Sequence, residues 1–182
     1  MSESTRAGHS LTGSWVGHYL QRDRVRGIAA ELKQEGEQLS GQMRDAETVF
    51  ELSVFELAAE CGLPPGADEQ IVSALREKFP DEPHAPIRAV SSLASESLLE
   101  GSVRGRTVTF LKTYQGEAFH GYRVGDHRVG THVAGHSVHY RGQISSDGLT
   151  LEGHWWIDPE PNHSKRRAEG TFVLRRQPEP AS

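Results

Sequence analysis

Ten histidines stand out in this sequence, and the stretch "HVAGHSVHY" brings His132, His136 and His139 close together. Neighbouring imidazoles are the raw material of metal ligation or proton transfer. In one extended strand, however, His136 and His139 point to opposite faces. His139 and His154 share the polar parity of a single hairpin with Glu152, which makes them the candidates for a metal site or an acid–base pair. Exposed strand histidines are the simpler account, and no metal or cofactor is assigned.

Other chemistry finds little support. The single cysteine, Cys61, follows Ala58, Ala59 and Glu60, so no base or cation adjoins it; it is expected to be a buried bystander. No Gly-x-Ser-x-Gly elbow and no glycine-rich phosphate loop opening a helix is present. "SKRRAEG" has three consecutive cations but no interleaved aromatics, so it reads as a loop, not a nucleic-acid patch. The chain reads as non-catalytic, with no residue assigned a catalytic role.

Five aromatics offer a different function. Trp15, Tyr19, Tyr114, Tyr140 and Trp155 fall on the inner parity of successive strands. They either fill a core or line a cavity, where tyrosine hydroxyls and indole N–H groups would orient an apolar or aromatic ligand. Trp156 falls on the opposite parity and suits a covered or contacting outer face.

The elements that would position them are strands. "LTGSWVGHY" places Leu11, Gly13, Trp15, Gly17 and Tyr19 on one face. "GIAAELKQ" and "EQLSGQMRD" form a hairpin through Glu35-Gly36, with Ile28, Ala30, Leu32, Leu39, Gly41 and Met43 inward. "SLLEGSV" and "RTVTFLKTY" turn at Arg104-Gly105, with Val108, Phe110 and Tyr114 on one side. "GYRVGDHRVG" suggests a smaller hairpin at Gly125-Asp126, an excursion from the main sheet. "GQISSDGLTLEGHWWIDP" gives the clearest hairpin, and "EGTFVLRR" supplies a last strand.

Residues 46–95 break this rhythm and read as a helical insertion. "TVFELSVFELAAECG" fits a helix stopped by Gly62, or a strand at its start. "GADEQIVSALREKFP" predicts a helix capped by Asp68, striped by Ile71, Leu75 and Phe79 and ended by Pro80. The segment carries nine acids against Arg76, Lys78 and Arg88, and Glu51, Glu56 and Glu60 read as a solvated helical face. Its helices could cover the mouth of the sheet.

Eight antiparallel strands with inward glycines predict closure, because closing the sheet removes its edges and glycine permits tight coiling. The expected fold is mainly β: an antiparallel up-and-down barrel of about eight strands over residues 10–176, with 1–9 and 177–182 as tails. A net charge of -5 gathers neither nucleic acid nor anionic membrane, and no apolar run suits a membrane span. The lone cysteine and the lack of an export signal point to the cytoplasm.

Gly13-Ser14-Trp15, followed by Gly17 and Tyr19, resembles the Gly-x-Trp opening of calycin-type barrels, the group of lipocalins, avidins and fatty-acid-binding proteins. The blocks "LSGQM", "LEGSV", "YRGQI" and "LEGHW" resemble bacterial lipocalin-like domains of undefined role. The insertion at 46–95 departs from that pattern. The resemblance implies a small apolar or aromatic ligand held in the barrel. Alternatives are a filled barrel that docks a protein partner through the acidic helical insertion, or a histidine-dependent haem or metal barrel.

Overall fold

The computed structural model describes residues 10–21, 23–159 and 168–178. Residues 1–9 and 179–182, and the cations Lys165, Arg166 and Arg167, lie outside it, as does the side chain of Glu60. The described chain runs β1 (Gly13–Gln21), β2 (Arg24–Glu35), β3 (Gln38–Asp45), β4 (Val49–Leu52), α1 (Val54–Glu60), α2 (Ala67–Lys78) and β5 (Ile87–Ser92). It continues with β6 (Glu96–Arg104), β7 (Thr107–Tyr114), β8 (Glu117–Val124), β9 (His127–Ala134), β10 (Ser137–Ile144), β11 (Thr150–Ile157) and β12 (Ala168–Arg176). No helix among the described residues is long and apolar enough to cross a membrane.

Eight of these strands close into an antiparallel barrel in the order β1-β12-β11-β10-β7-β6-β3-β2. The closing seam pairs Trp15 with Arg176 and Tyr19 with Phe172, so the first and last strands meet as the alternation predicts. This closed barrel is consistent with a calycin-like fold. The inward residues expected from parity are buried: Ile28, Ala30 and Leu32 on β2, Leu39 and Met43 on β3, Val108 and Phe110 on β7.

Glycine makes the coiling possible at specific contacts. A Cβ on Gly17 would lie 1.8 Å from the Val173 carbonyl oxygen, so no side chain fits where β1 crosses β12. One end of the barrel is plugged by Leu11 and Trp15, both 0% exposed. The Trp15 indole N–H donates to the Leu11 carbonyl at 2.9 Å, and the Arg176 guanidinium sits 5.1 Å from the Trp15 ring centre. Arg176 also donates to the Ser10 carbonyl.

A second compact unit comprises residues Thr48–Ala94 and Gly116–Gly135. Its sheet has the order β4-β5-β8-β9, with α2 packed on one face through Leu75, Ile71 and Phe79 against Val124, Ile87 and Tyr122. Residues 46–95 therefore supply two strands as well as two helices. The two readings of "TVFELSVFELAAECG" both occur in succession: β4, then α1. The Ser53 hydroxyl accepts from the Glu56 amide while the Glu56 carboxylate accepts from the Ser53 amide, a capping box that fixes this switch.

Three local expectations are corrected. Gly66, in the left-handed region at φ 83°, caps α2 in place of Asp68, which lies in the first turn. Cys61 is exposed, because it is the C-cap of α1, whose buried residues are Val54 and Ala58. Glu51 and Glu56 do not form a free helical face: Glu51 lies on β4 and pairs with Arg123 at 2.8 Å, and Glu56 serves the cap.

Candidate functional site

The barrel end opposite Trp15 carries polar side chains on its inner face. Among the described residues, the buried polar or charged side chains are Arg26, Asp45, Ser97 and Lys112, and all four lie at this end. Each sits at the apolar parity of its strand: Arg26 before Ile28, Asp45 after Met43, Ser97 before Leu99, Lys112 between Phe110 and Tyr114. Alternation thus forces them inward, where burial demands partners.

Lys112 Nζ lies 2.5 Å from Asp45 Oδ2 and 3.0 Å from the Tyr114 hydroxyl. β6 separates β3 from β7, so this ion pair spans an intervening strand inside the barrel. Ser97 Oγ donates to the Met43 carbonyl at 2.9 Å. Arg26, directly opposite Tyr19, binds Glu47 at 2.7 Å. Asp45 Oδ1 is buried with no hydrogen-bond partner.

Electrostatics follow from this burial. Desolvation pulls the Lys112 ammonium below the ordinary lysine value, while Asp45 pushes back. Desolvation, reinforced by the Asp45 charge, raises the hydroxyls of Tyr19, Tyr114 and Tyr140 well above the ordinary tyrosine value. All three therefore stay neutral hydroxyls at physiological pH, able to donate as well as accept.

The structure brings together the aromatics singled out from the sequence, but commits several of them. Trp15, Tyr19, Tyr114, Tyr140 and Trp155 are all buried in the barrel. Tyr140 stacks on Phe110 at 4.7 Å and meets Phe172 edge-on at 5.0 Å. Tyr19 meets Trp155 edge-on at 5.8 Å. The Trp155 indole N–H donates to the Leu20 carbonyl at 3.0 Å, and that of Trp15 to Leu11, so neither indole has a donor left for a ligand. Gly170 makes the first of these contacts possible: its Cβ would lie 1.9 Å from the Leu20 oxygen and 2.7 Å from Trp155 Nε1.

The histidines are dispersed. His139 stacks on Trp156 at 5.1 Å and approaches Asp158 at 3.0 Å, on the outside of the barrel. His154 is exposed and pairs in register with Arg141, not with His139. His136 packs beside Tyr114, whereas His132 belongs to β9 of the second unit and lies 3.8 Å from Glu117. Among the described residues no group of three His, Cys, Asp or Glu is arranged to hold a metal ion.

The outer faces of β10, β11 and β12 form a separate depression of about 800 Å³, lined by Arg141, Gln143, Glu152, His154, Trp156 and Thr171 among others. Trp156, read from the sequence as an outward residue, stands in its wall.

Sequence reasoning missed Arg26, Asp45, Ser97 and Lys112. The signal was present: a cation within "VTFLKTY" and an acid ending "LSGQMRD" break the apolar parity of strands already assigned. No protein-family model matches this chain, and no significant similarity to a curated protein or a solved structure was found.

Proposed function

We propose that the barrel is a lipocalin-like binding protein for one small, largely aromatic ligand that carries a hydrogen-bond donor. The ligand would lie at the inner end marked by Asp45, Lys112, Tyr19, Tyr114 and Tyr140. The observation that carries this reading is the buried, unpartnered Asp45 Oδ1. An unmet acceptor on a buried carboxylate costs at least about 1–3 kcal/mol, and a ligand N–H or O–H placed there recovers that cost. Burial of the ligand's rings among the tyrosines adds roughly 25 cal/mol for each square ångström of apolar surface removed. Lys112, lowered by burial, is engaged by Asp45 and the Tyr114 hydroxyl, and the reading is of binding without turnover.

A second reading has its own observation. If the aromatic stack of Phe110, Tyr140 and Phe172 fills the barrel, the outer depression beside Trp156 becomes the place where a small molecule or a peptide binds.

N-phenyl-1-naphthylamine, a neutral aromatic amine with one N–H, tests both. The proposal expects saturable uptake with energy transfer from tryptophan. The double variant Asp45→Leu/Lys112→Met, which removes the acceptor but keeps an apolar interior, should bind about tenfold more weakly. Uptake lost in Trp156→Ala but unchanged in the double variant would favour the outer depression. No saturable uptake by the folded protein would overturn both.

A further inference from the structure

The second unit carries a feature unrelated to the barrel reading. Arg88 on β5 pairs in register with Arg123 on β8, and Arg123 pairs with Arg128 on β9. Three guanidinium side chains thus stand in one row across adjacent strands. Their neighbours in sequence, Ile87, Tyr122 and Val129, pack with α2, so the row projects from the opposite face of the sheet.

Like charges directly opposite one another destabilise a sheet, and strands lie only about 4.8 Å apart. One acid answers the row: Glu51 on β4 reaches across β5 to Arg123 Nη2 at 2.8 Å. Among the described residues, Arg88 and Arg128 have no ion-pair or hydrogen-bond partner, and both are exposed. The Arg123 Nε is buried and unpartnered. The next row on this face runs Glu51, Val90, Gly121, Gly130, so it lacks Cβ atoms only on β8 and β9. A Cβ on either glycine would fall within 3 Å of the Phe119 ring, at 2.9 and 2.7 Å, so that ring lies over the two glycines and leaves the arginine row as the polar part of this face.

We propose that this row is an anion site for a soluble phosphate monoester. Guanidinium groups match phosphate oxygens with paired N–H donors and remain charged at every accessible pH. A dianion relieves repulsion across all three strands at once, which a single carboxylate on Arg123 cannot do. The surrounding acids of α2 lie on the other face of the sheet and do not compete for these cations.

The test is an amide and arginine side-chain NMR titration of the whole chain with inorganic phosphate and with glycerol 3-phosphate, at constant ionic strength against chloride. Saturable shifts at Arg88, Arg123 and Arg128 are expected with both phosphates and not with chloride. Arg88→Gln and Arg128→Gln, both exposed positions that leave the fold intact, should each weaken binding about fivefold. Glu51→Gln should tighten it, a result that a purely structural row would not give. Shifts that stay linear, that chloride reproduces, or that persist in the Arg88→Gln/Arg128→Gln double variant would overturn the site. So would binding to phosphatidate vesicles without binding of either soluble phosphate.

Discussion

Lys112 and Asp45 form an ion pair, Nζ to Oδ2 2.5 Å, with both side chains 1% exposed. Such a pair is costly to desolvate and stabilises little on its own, but breaking it strands a charge. Lys112→Ala or Asp45→Ala alone should therefore destabilise the protein by about 3–5 kcal/mol in urea unfolding. The joint replacement Asp45→Leu/Lys112→Met should cost less than either single change and could stabilise. If the single and double variants are equally destabilised, the pair is not coupled in this way.

Alkaline pH offers a second check. The folded protein raises the hydroxyls of Tyr19, Tyr114 and Tyr140, by burial first and the Asp45 charge second. A group raised on folding contributes stability that is complete below its unfolded value, about pH 10, and is lost as pH rises above it. Lys112 is lowered, so between its folded value and about pH 10.4 the unfolded chain binds more protons and stability rises with pH. Three tyrosines oppose one lysine, and the net is loss above about pH 10. Tyr122 is raised too, chiefly by burial, but it is only half-buried, so it is Tyr19, Tyr114 and Tyr140 that should resist ionisation until the chain unfolds. Tyrosinate absorbance amounting to more than one tyrosine near pH 10 without loss of the fold would contradict this.

Gly170 is a steric requirement, not a flexible joint. Gly170→Ala forces a Cβ into the space through which the Trp155 indole reaches the Leu20 carbonyl. The expected cost is about 3 kcal/mol, combining overpacking with a lost buried hydrogen bond. Near-ultraviolet circular dichroism should change with it, because Trp155 and Tyr19 are in edge contact. An alanine variant with unchanged stability and spectrum would show that the seam can shift.

The barrel was legible because its signal is local. Parity places Trp15, Tyr140 and Trp155 inward, and inward glycines such as Gly17 and Gly170 mark where strands coil tightly. The polar end was harder to read for a physical reason. Asp45 and Lys112 lie 67 positions apart, and each alone looks like an error in an apolar stripe; only closure of the sheet makes them partners. The row of arginines escaped notice similarly, since Arg88 lies on β5, a strand hidden within a region read as helical. Cys61 was misplaced because the helix read as running to Gly62 is only seven residues long, which leaves Cys61 at its exposed C-cap.

At the plugged end, Arg176 links the last strand to the segment before the first. Its guanidinium lies over the Trp15 ring at 5.1 Å and donates to the Ser10 carbonyl, so one side chain joins both ends of the described chain. A cation over an indole is worth about 0.5–2 kcal/mol, and the carbonyl contact adds a charge-assisted hydrogen bond. Arg176→Ala should thus cost about 2–3 kcal/mol in urea unfolding. Arg176→Lys should recover less than half of that, because an ammonium keeps the charge but lacks the planar fork that spans ring and carbonyl together. Full recovery by lysine would mean that charge alone matters at this seam.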